Sequence, residues 1–279
     1  MKLMYLGTGA AEGIPAIFCL CPVCLEAREK KGKNIRTRSQ SLLDGKILFD
    51  FPPDSYSHYI ASGFNAADMP AIRHVFITHS HMDHFYPEEL QQHHPGYVTS
   101  RPVETLHIYG NRKVEQKLLY LQEAENVVPC NEFHYAKPFE PIEAEGYRIT
   151  PLTALHDSNE ECLFYAVEHA GKTLLYAHDT GFFPEPVWEY FSRMKMYFDL
   201  VSLDCTSAAF KDGTYHMGIA DCVEMRQKFV STGAADAKTV FVLNHFSHNG
   251  QLNHDELCKT AEKDGFIVAY DGMEITIGN

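Results

Sequence analysis

Four residues with metal-binding side chains fall within six positions of the chain, in the string HSHMDH. They follow an apolar, β-branched run from Ala71 to Thr78, which predicts a buried strand that delivers them to a sheet edge. His79 and His81, two residues apart in an extended chain, can point the same way and share one ion. Asp83 and His84 are neighbours and diverge, so we expect a second ion beside them.

A second group of ligand-type side chains comes earlier, at Cys19, Cys21 and Cys24. Three thiolates within six residues can wrap one tetrahedral ion, and Pro22 stiffens the turn between them. A fourth ligand must come from elsewhere in the chain. The alternatives are a histidine-rich loop that binds nothing at the first group and three ordinary thiols at the second.

Composition limits the class of protein. With 279 residues and 45% hydrophobic content, the chain can bury a large core, and no linker, repeat or low-complexity tract divides it. The formal charge of −13 repels a phosphate polymer at long range, while a small anion can still enter a locally positive metal cleft. The first strand, Met1 to Leu6, is interrupted before a signal-peptide core could form, and no apolar run reaches the ~18 residues that span a bilayer. We expect a cytoplasmic protein whose eight cysteines are reduced thiols or metal ligands.

Turn residues divide the chain into its elements. Asp44-Gly45 predicts a type I′ hairpin, and Ala170-Gly171 predicts a second hairpin. Gly7-Thr8-Gly9 could cradle a phosphate, but it lacks the Lys-Ser/Thr of a P-loop, which favours a tight connection beneath the metal site. The basic stretch from Glu26 to Arg38 has no interleaved aromatic residues, so we interpret it as solvated surface rather than a nucleic-acid-binding arm.

The H-x-H-x-D-H string is the signature of the metallo-β-lactamase superfamily, which this sequence resembles. The opening Gly7-Thr8-Gly9, the three cysteines, the string from Asn244 to His248 and the closing Asp271 to Ile275 are similar to the PhnP-like phosphoribosyl cyclic phosphodiesterase branch. The resemblance implies an α/β protein, the αββα four-layer sandwich, with ligands at strand ends. We expect a single domain over residues 1–279, with a zinc-bound loop insertion at 19–37. On pattern alone a doubly wound Rossmann-like sheet is the alternative, and the two hairpins count against it.

The resemblance also implies the roles of particular side chains. Seven ligands would hold two divalent ions: His79, His81 and His156 for the first, Asp83, His84 and His245 for the second, and Asp179 bridging both. His248 would complete a structural zinc site with the three cysteines. His216, outside the ligand set, would be a general acid, and Asp83 would also be part of the catalytic machinery. Imidazoles suit Zn²⁺, while carboxylate oxygens also accept Mn²⁺ or Fe²⁺.

The resemblance therefore implies a binuclear metal-dependent hydrolase that cleaves a phosphodiester, with a small cyclic phosphodiester such as a phosphoribosyl cyclic phosphate as the preferred substrate. Two ions can lower the pKa of a shared water towards ~7 and present hydroxide for attack, while His216 protonates the leaving alkoxide. The expected partner is this small anionic substrate, with no nucleic acid or membrane, and with a homodimer as one option. The alternatives are a thioester or lactone hydrolase, a tRNA 3′-end-type nuclease, or a non-catalytic metal-binding protein. The nuclease needs a basic exosite, which the charge of −13 does not indicate.

Overall fold

The structure is a computed structural model, which describes residues 1–61, 63, 72–125 and 130–278. In this part of the chain fourteen strands form two seven-stranded sheets. The first sheet contains β1 (Lys2–Gly7), β2 (Gln40–Leu43), β3 (Ile47–Phe49), β4 (His74–Phe76), β5 (Leu106–Gly110), β6 (Asn131–Tyr135) and β14 (Met273–Thr276). The second contains β7 (Ile142–Ala144), β8 (Tyr147–Thr153), β9 (Leu163–His169), β10 (Lys172–Ala177), β11 (Leu200–Asp204), β12 (Val240–Asn244) and β13 (Phe266–Val268). Their spatial orders are β14-β1-β2-β3-β4-β5-β6 and β13-β12-β11-β10-β9-β8-β7.

Helices lie against both sheets. The α-helices are α1 (Pro22–Lys30), α2 (Ser55–Ala61), α3 (Arg112–Glu125), α4 (Glu185–Met194), α5 (Ile219–Ser231) and α6 (His254–Ala261). Short 3₁₀ helices occur at Gly32–Asn34, Pro87–Gln92, His248–Gly250 and Glu262–Asp264. None of the described helices combines the length and the apolar character needed to cross a bilayer.

Three apolar clusters separate four layers. Between the sheets, Phe49 stacks on Tyr176 with ring centroids 4.6 Å apart. On the outer face of the second sheet, Trp188 of α4 packs against Phe229 of α5 at 4.9 Å. On the outer face of the first sheet, the cluster includes Val114 of α3. The predicted αββα sandwich is therefore confirmed.

Strand direction brings the ligand-bearing loops to one edge. Strands β3 to β6 are parallel in the first sheet, and β10 to β13 are parallel in the second. Strand β8 runs antiparallel to β9, which runs antiparallel to β10, so β8 points the same way as β10. The carboxyl ends of β4, β8, β10, β11 and β12 consequently meet at the same rim, where α/β proteins place their sites.

Both hairpins are confirmed, and their turns show why these residues stand there. Asp44 and Gly45 have φ of 49° and 72°, and Ala170 and Gly171 have φ of 49° and 73°. A turn with two positive φ angles matches the twist of the flanking strands, and Asp-Gly tolerates it well. In the run from Ala71 to Thr78 only His74–Phe76 is assigned as strand, and Ala71 lies outside the described residues.

The prediction that Glu26 to Arg38 is solvated surface was wrong at Arg36. The Arg36 side chain is buried, with its guanidinium 2.8 Å from Thr8 Oγ1, 2.7 Å from the Ala269 carbonyl oxygen and 3.0 Å from His254 Nδ1. A buried cation needs such acceptors to offset its lost hydration. Two of these acceptors lie more than 200 residues away in sequence, so the local composition could not reveal them.

Candidate metal centre

Asp50, at the end of β3, lies directly behind the histidine motif. Its Oδ1 accepts hydrogen bonds from the Thr78 backbone N–H at 2.8 Å and the Thr78 hydroxyl at 2.9 Å. Its Oδ2 accepts from His84 Nδ1 at 2.8 Å. Because Nδ1 of His84 is occupied as a donor, Nε2 is free to present its lone pair to an ion.

A polar network holds the other side of the motif. Glu160 accepts hydrogen bonds from the Ser80 backbone N–H at 2.9 Å, from the Ser80 hydroxyl at 2.8 Å and from Asn111 Nδ2 at 2.7 Å. The Lys117 ammonium donates to the Ser80 carbonyl oxygen. Ser80 separates the two leading histidines, so these contacts fix the loop between them.

The structure brings together His79, His81 and His156, the three residues that the resemblance assigned to the first ion. His81 Nδ1 lies 3.3 Å from His156 Nε2, and one ring nitrogen of each histidine falls in a group no wider than 4.8 Å. His81 Nε2 donates a hydrogen bond to Asp157 Oδ2 at 3.2 Å. The lone pair of Nδ1 is therefore available to bind an ion. Asp157 was not singled out from the sequence.

The remaining four predicted ligands form an adjoining buried group. His84 Nε2 lies 3.2 Å from His245 Nε2, 3.2 Å from Asp83 Oδ2 and 2.8 Å from Asp179 Oδ2. The same Oδ2 of Asp179 is 3.4 Å from His79 Nε2 in the first group. Asp179 therefore lies between the two groups, in the position of a bridging ligand.

The chemistry of this donor set fits divalent ions. His79 Nε2 and Asp179 Oδ1 are buried, and neither has a hydrogen-bond partner among the described residues. Burial holds the pKa of His79 well below its usual value, which keeps its imidazole neutral. Burial alone would raise the pKa of Asp179, but His245 and His84 outweigh it and hold that pKa well below its usual value. Burial alone would lower the pKa of His84 and of His245, but nearby carboxylates, chiefly Asp50 for His84 and Asp179 for His245, outweigh it and raise both values. Because metal binds the neutral imidazole and the ionised carboxylate, an ion at this group would displace a proton from each of these two rings.

The cysteines form a separate site with His248. Its Nδ1 lies 3.5 Å from Cys19 Sγ and 3.4 Å from Cys21 Sγ, and Cys24 completes the group. A tetrahedral zinc would separate sulfur and nitrogen ligands by about 3.6 Å, so the spacing fits. His248 Nε2 faces Glu12 Oε1 at 3.4 Å, an arrangement that orients the ring towards the thiols.

Arg28 of α1 holds the cysteine loop in shape. Its guanidinium donates to the carbonyl oxygens of Ala16 at 2.7 Å, Cys19 at 2.9 Å and Cys24 at 3.0 Å. Backbone N–H groups also point at sulfur, with Ala16 N 3.3 Å from Cys24 Sγ and Cys21 N 3.4 Å from Cys19 Sγ. The donor from Cys21 lowers the pKa of Cys19, whereas burial raises the pKa of Cys24 to about 11.

The comparison with known families identifies the scaffold. The model of the beta-lactamase superfamily domain matches residues 46–246. The chain belongs to this superfamily. Its members are metal-dependent hydrolases, and the chain is an enzyme of that class.

Solved structures of this superfamily share the whole fold. A diphosphatase from the PhnP family superposes with a TM-score of 0.75 at 23% identity, covering 98% of this chain and 96% of that one. Zinc-bound PqqB from Methylobacterium extorquens superposes with a TM-score of 0.69 at 16% identity, covering 99% of this chain and 100% of that one. The short form of human tRNase Z superposes with a TM-score of 0.64 at 18% identity, covering 100% of both chains. At these identities the likeness concerns the fold.

Curated relatives match over shorter stretches. Coenzyme PQQ synthesis protein B from Methylobacterium radiotolerans is 26% identical over 170 residues, which cover 54% of this chain and 52% of the relative. An octanoyltransferase from Porphyromonas gingivalis is 31% identical over 86 residues, which cover 30% of this chain and 16% of the relative. The chain therefore spans about half, or much less, of the curated relatives it matches.

His216 lies beside both ligand groups without belonging to the predicted set. Its Nδ1 is 3.4 Å from Asp204 Oδ2 and 3.2 Å from Asp179 Oδ1, and its ring centroid is 5.0 Å from that of His156. Burial alone would lower the pKa of His216, but Asp204 and Asp179 raise it to about 9. The ring is thus held in the protonated form that a proton donor requires.

Asp204, like Asp157, is a residue of the site that the sequence analysis missed. It is fully buried at the end of β11, and its Oδ2 lies 3.4 Å from His245 Nδ1 as well as from His216. Its carboxylate also accepts the backbone N–H of Asp179 at 3.1 Å and of Met217 at 2.8 Å. The available signal was a carboxylate ending a buried strand, as Asp50 does in the first sheet.

A cavity of about 380 Å³ opens over the ligands. Its wall includes His81, Asp83, His156, Asp179, His216 and His245, together with Ala10, Ala11, Glu12, Thr206, Ser207, Phe210, Ser247 and Asn249. None of these described lining residues is Lys or Arg. Any neutralisation of an anionic substrate by this wall must therefore come from ions and imidazoles.

The glycine turn, which leads into Ala10 and Ala11 on the cavity wall, is tightly packed. A Cβ on Gly7 would lie 2.0 Å from the Arg38 carbonyl oxygen, and the Thr8 carbonyl accepts from Phe246 N at 2.9 Å. His178, the residue before Asp179, is buried with Nε2 2.7 Å from Ser202 Oγ. Burial lowers its pKa to about 3, which fits a packed neutral ring.

Proposed function

We propose that this chain is a binuclear metal-dependent phosphodiesterase acting on a small, preferably cyclic, phosphodiester such as a phosphoribosyl cyclic phosphate. The observation that carries the proposal is the placement of His216. It lies on the cavity wall beside the two ligand groups, backed by Asp204 at 3.4 Å. A hydrolase that must expel an alkoxide needs a proton donor at such a position.

In the proposed reaction, some residues of the site bind the ions, one donates a proton and others orient the ligands. His79, His81 and His156 would hold one ion, with Asp83, His84 and His245 on the other and Asp179 shared. When bound, the ions lower the pKa of water and neutralise charge on a phosphoryl group. Asp204 orients the protonated ring of His216 by accepting from Nδ1, so Nε2 can give its proton to the leaving oxygen. Asp50 and Asp157 orient the ligand imidazoles through their second nitrogens.

Cavity size and charge support a small substrate over a polymer. A volume of about 380 Å³ suits a nucleotide-sized or smaller molecule. A tRNA-processing enzyme needs cations to contact several phosphates, while the chain carries a formal charge of −13. The PhnP-family diphosphatase, which shares the fold at a TM-score of 0.75, is consistent with phosphorus-ester chemistry on this scaffold.

We further propose that residues 1–279 form one domain in which residues 19–37 are a zinc-holding insertion. The complete set of ions would be two catalytic divalent ions, zinc or manganese with iron as an option, and one structural zinc. From these two sites alone, elemental analysis of purified protein should give two to three transition ions per chain. A value at or below one after reconstitution would contradict the binuclear mechanism. A cytoplasmic location, the absence of a nucleic-acid partner and a homodimeric assembly stay predictions.

A substrate screen with metal-reconstituted protein tests the function. The panel contains a ribosyl cyclic phosphate, a linear phosphodiester, a pyrophosphate, a structured RNA, a thioester and a lactone. We expect the highest kcat/KM on the cyclic phosphate, and loss of that activity in Asp83→Asn prepared in parallel. Faster turnover of RNA, thioester or lactone would replace the proposal by the corresponding hydrolase.

A further inference from the structure

A further group of ligand-type side chains, separate from the catalytic ligands and from the cysteine site, lies on the first sheet, away from the catalytic cavity. Strands β5 and β6 pair in parallel, with His107 opposite Glu132 and Tyr109 opposite His134. Glu132 and His134 are two residues apart on one strand, so they project from the same face of the sheet. The pairing places His107 beside both of them. We call His107, Glu132 and His134 the edge histidine site, because β6 is the edge strand of its sheet.

The distances within the edge histidine site are those of ligands that share an ion. His107 Nδ1 lies 3.0 Å from His134 Nε2. Two nitrogen ligands at about 2.1 Å from an ion are about 3.0 Å apart at a right angle and about 3.4 Å apart in a tetrahedron. The Glu132 carboxylate faces both nitrogens, with Oε2 3.8 Å from His107 and Oε1 3.9 Å from His134. A single hydrogen bond between two imidazoles would not require this third, equidistant partner.

Neighbouring rings hold the two imidazoles in place. His134 stacks on Tyr109 with centroids 4.8 Å apart, and His107 stacks on His74 at 5.1 Å. The two ligand histidines are about one-third exposed, and Glu132 is 60% exposed. An ion can therefore enter from solvent, the carboxylate can close the remaining distance, and water can fill the open coordination positions.

We propose that the edge histidine site binds a divalent transition-metal ion that clamps strand β6 to strand β5. Two imidazoles and one carboxylate suit Zn²⁺, Cu²⁺ or Ni²⁺ rather than Mg²⁺ or Ca²⁺. The site is separate from the catalytic centre. His107 pairs with His74, and His79 follows His74 by five residues, a distance of about 16 Å along an extended chain. The ion would stabilise an edge strand and take no part in hydrolysis.

Equilibrium dialysis of the metal-loaded protein against Zn²⁺, followed by elemental analysis, tests the site. We expect His134→Gln to hold one ion per chain fewer than the wild type at the same free Zn²⁺. Its circular dichroism and its turnover should be unchanged. The matched control is His169→Gln, which removes a histidine from strand β9 of the other sheet and should retain the full count.

A second variant keeps the test informative if His134→Gln does not fold. Glu132→Gln keeps both imidazoles and should weaken the additional binding event by at least about tenfold. Added Zn²⁺ should also raise the Tm of the wild type by a few degrees more than that of either variant. Equal ion counts and equal Tm shifts in the wild type and both variants would overturn the proposal. Because the readout is a difference between variants, it does not depend on the identity of the catalytic substrate.

Discussion

Replacing His216 by alanine should separate proton donation from metal binding. His216 is 26% exposed on its side chain and, among the described residues that line the cavity, it is the only imidazole outside the two ligand groups. Its loss removes no predicted ligand, so the variant should fold and retain its ions. General acid catalysis contributes about 10²–10⁴ in rate, equivalent to about 3–5 kcal/mol of barrier. We expect turnover of an alkyl or ribosyl phosphodiester to fall by this amount.

The assay compares two leaving groups in the same preparation. A nitrophenolate is stable without a proton, so His216→Ala should lose much less activity on a nitrophenyl diester than on an alkyl diester. Tyr215→Phe, a change at the exposed neighbour on the same loop, should leave both rates near wild type. Equal losses on the two substrates would refute the reasoning. They would show that His216 positions substrate or supports an ion.

Four further perturbations test the other parts of the structure. Cys21→Ser should lower Tm and remove one zinc ion per chain, while the folded fraction retains turnover. His245→Ala should abolish turnover with little change in Tm. An unchanged zinc content in Cys21→Ser would show that the cysteines are ordinary thiols. Asp50→Asn should weaken catalytic metal binding about 10–100-fold, measured by competition with a chelator, because His84 loses its orienting carboxylate. Burial lowers the pKa of His58 to about 4 from an ordinary 6.5, so the folded protein resists a proton that the unfolded chain accepts. The contribution of His58 to the free energy of unfolding is therefore fully present above about pH 6.5 and is lost as the pH falls. Between pH 7 and pH 5 the free energy of unfolding, measured with urea, should fall by about 2 kcal/mol more in the wild type than in His58→Gln. A parallel pH dependence in the two proteins would contradict this assignment.

Much of the candidate site was predictable because its signals are local. The spacing of His79, His81, Asp83 and His84 fits two ions within one strand end and the following turn, whatever the rest of the chain does. The three cysteines similarly lie close enough in sequence to surround an ion. The two hairpins followed from Asp44-Gly45 and Ala170-Gly171, in which the glycines, and Asp44 in the first turn, favour positive φ. The αββα sandwich and the more distant ligands came from the resemblance to a family rather than from spacing.

Only the tertiary structure showed which distant groups hold these residues in position. Asp204 acts on His216 and His245 because parallel strands of the second sheet end at the same rim. Its position at the end of a buried strand did not show which histidines it would contact. Arg36 belongs to a basic stretch, yet it is buried because carbonyl and hydroxyl acceptors from both ends of the chain surround it.

The edge histidine site depends on tertiary structure in the same way. His107 and His134 are 27 residues apart and follow no ligand motif, and only the register of β5 against β6 brings their nitrogens to 3.0 Å. Local sequence by itself determined the ligand clusters and turns, since these depend on backbone conformation over a few residues. The partners that orient, bury or bridge those clusters were decided by strand pairing and packing, which join parts of the chain that the sequence keeps far apart.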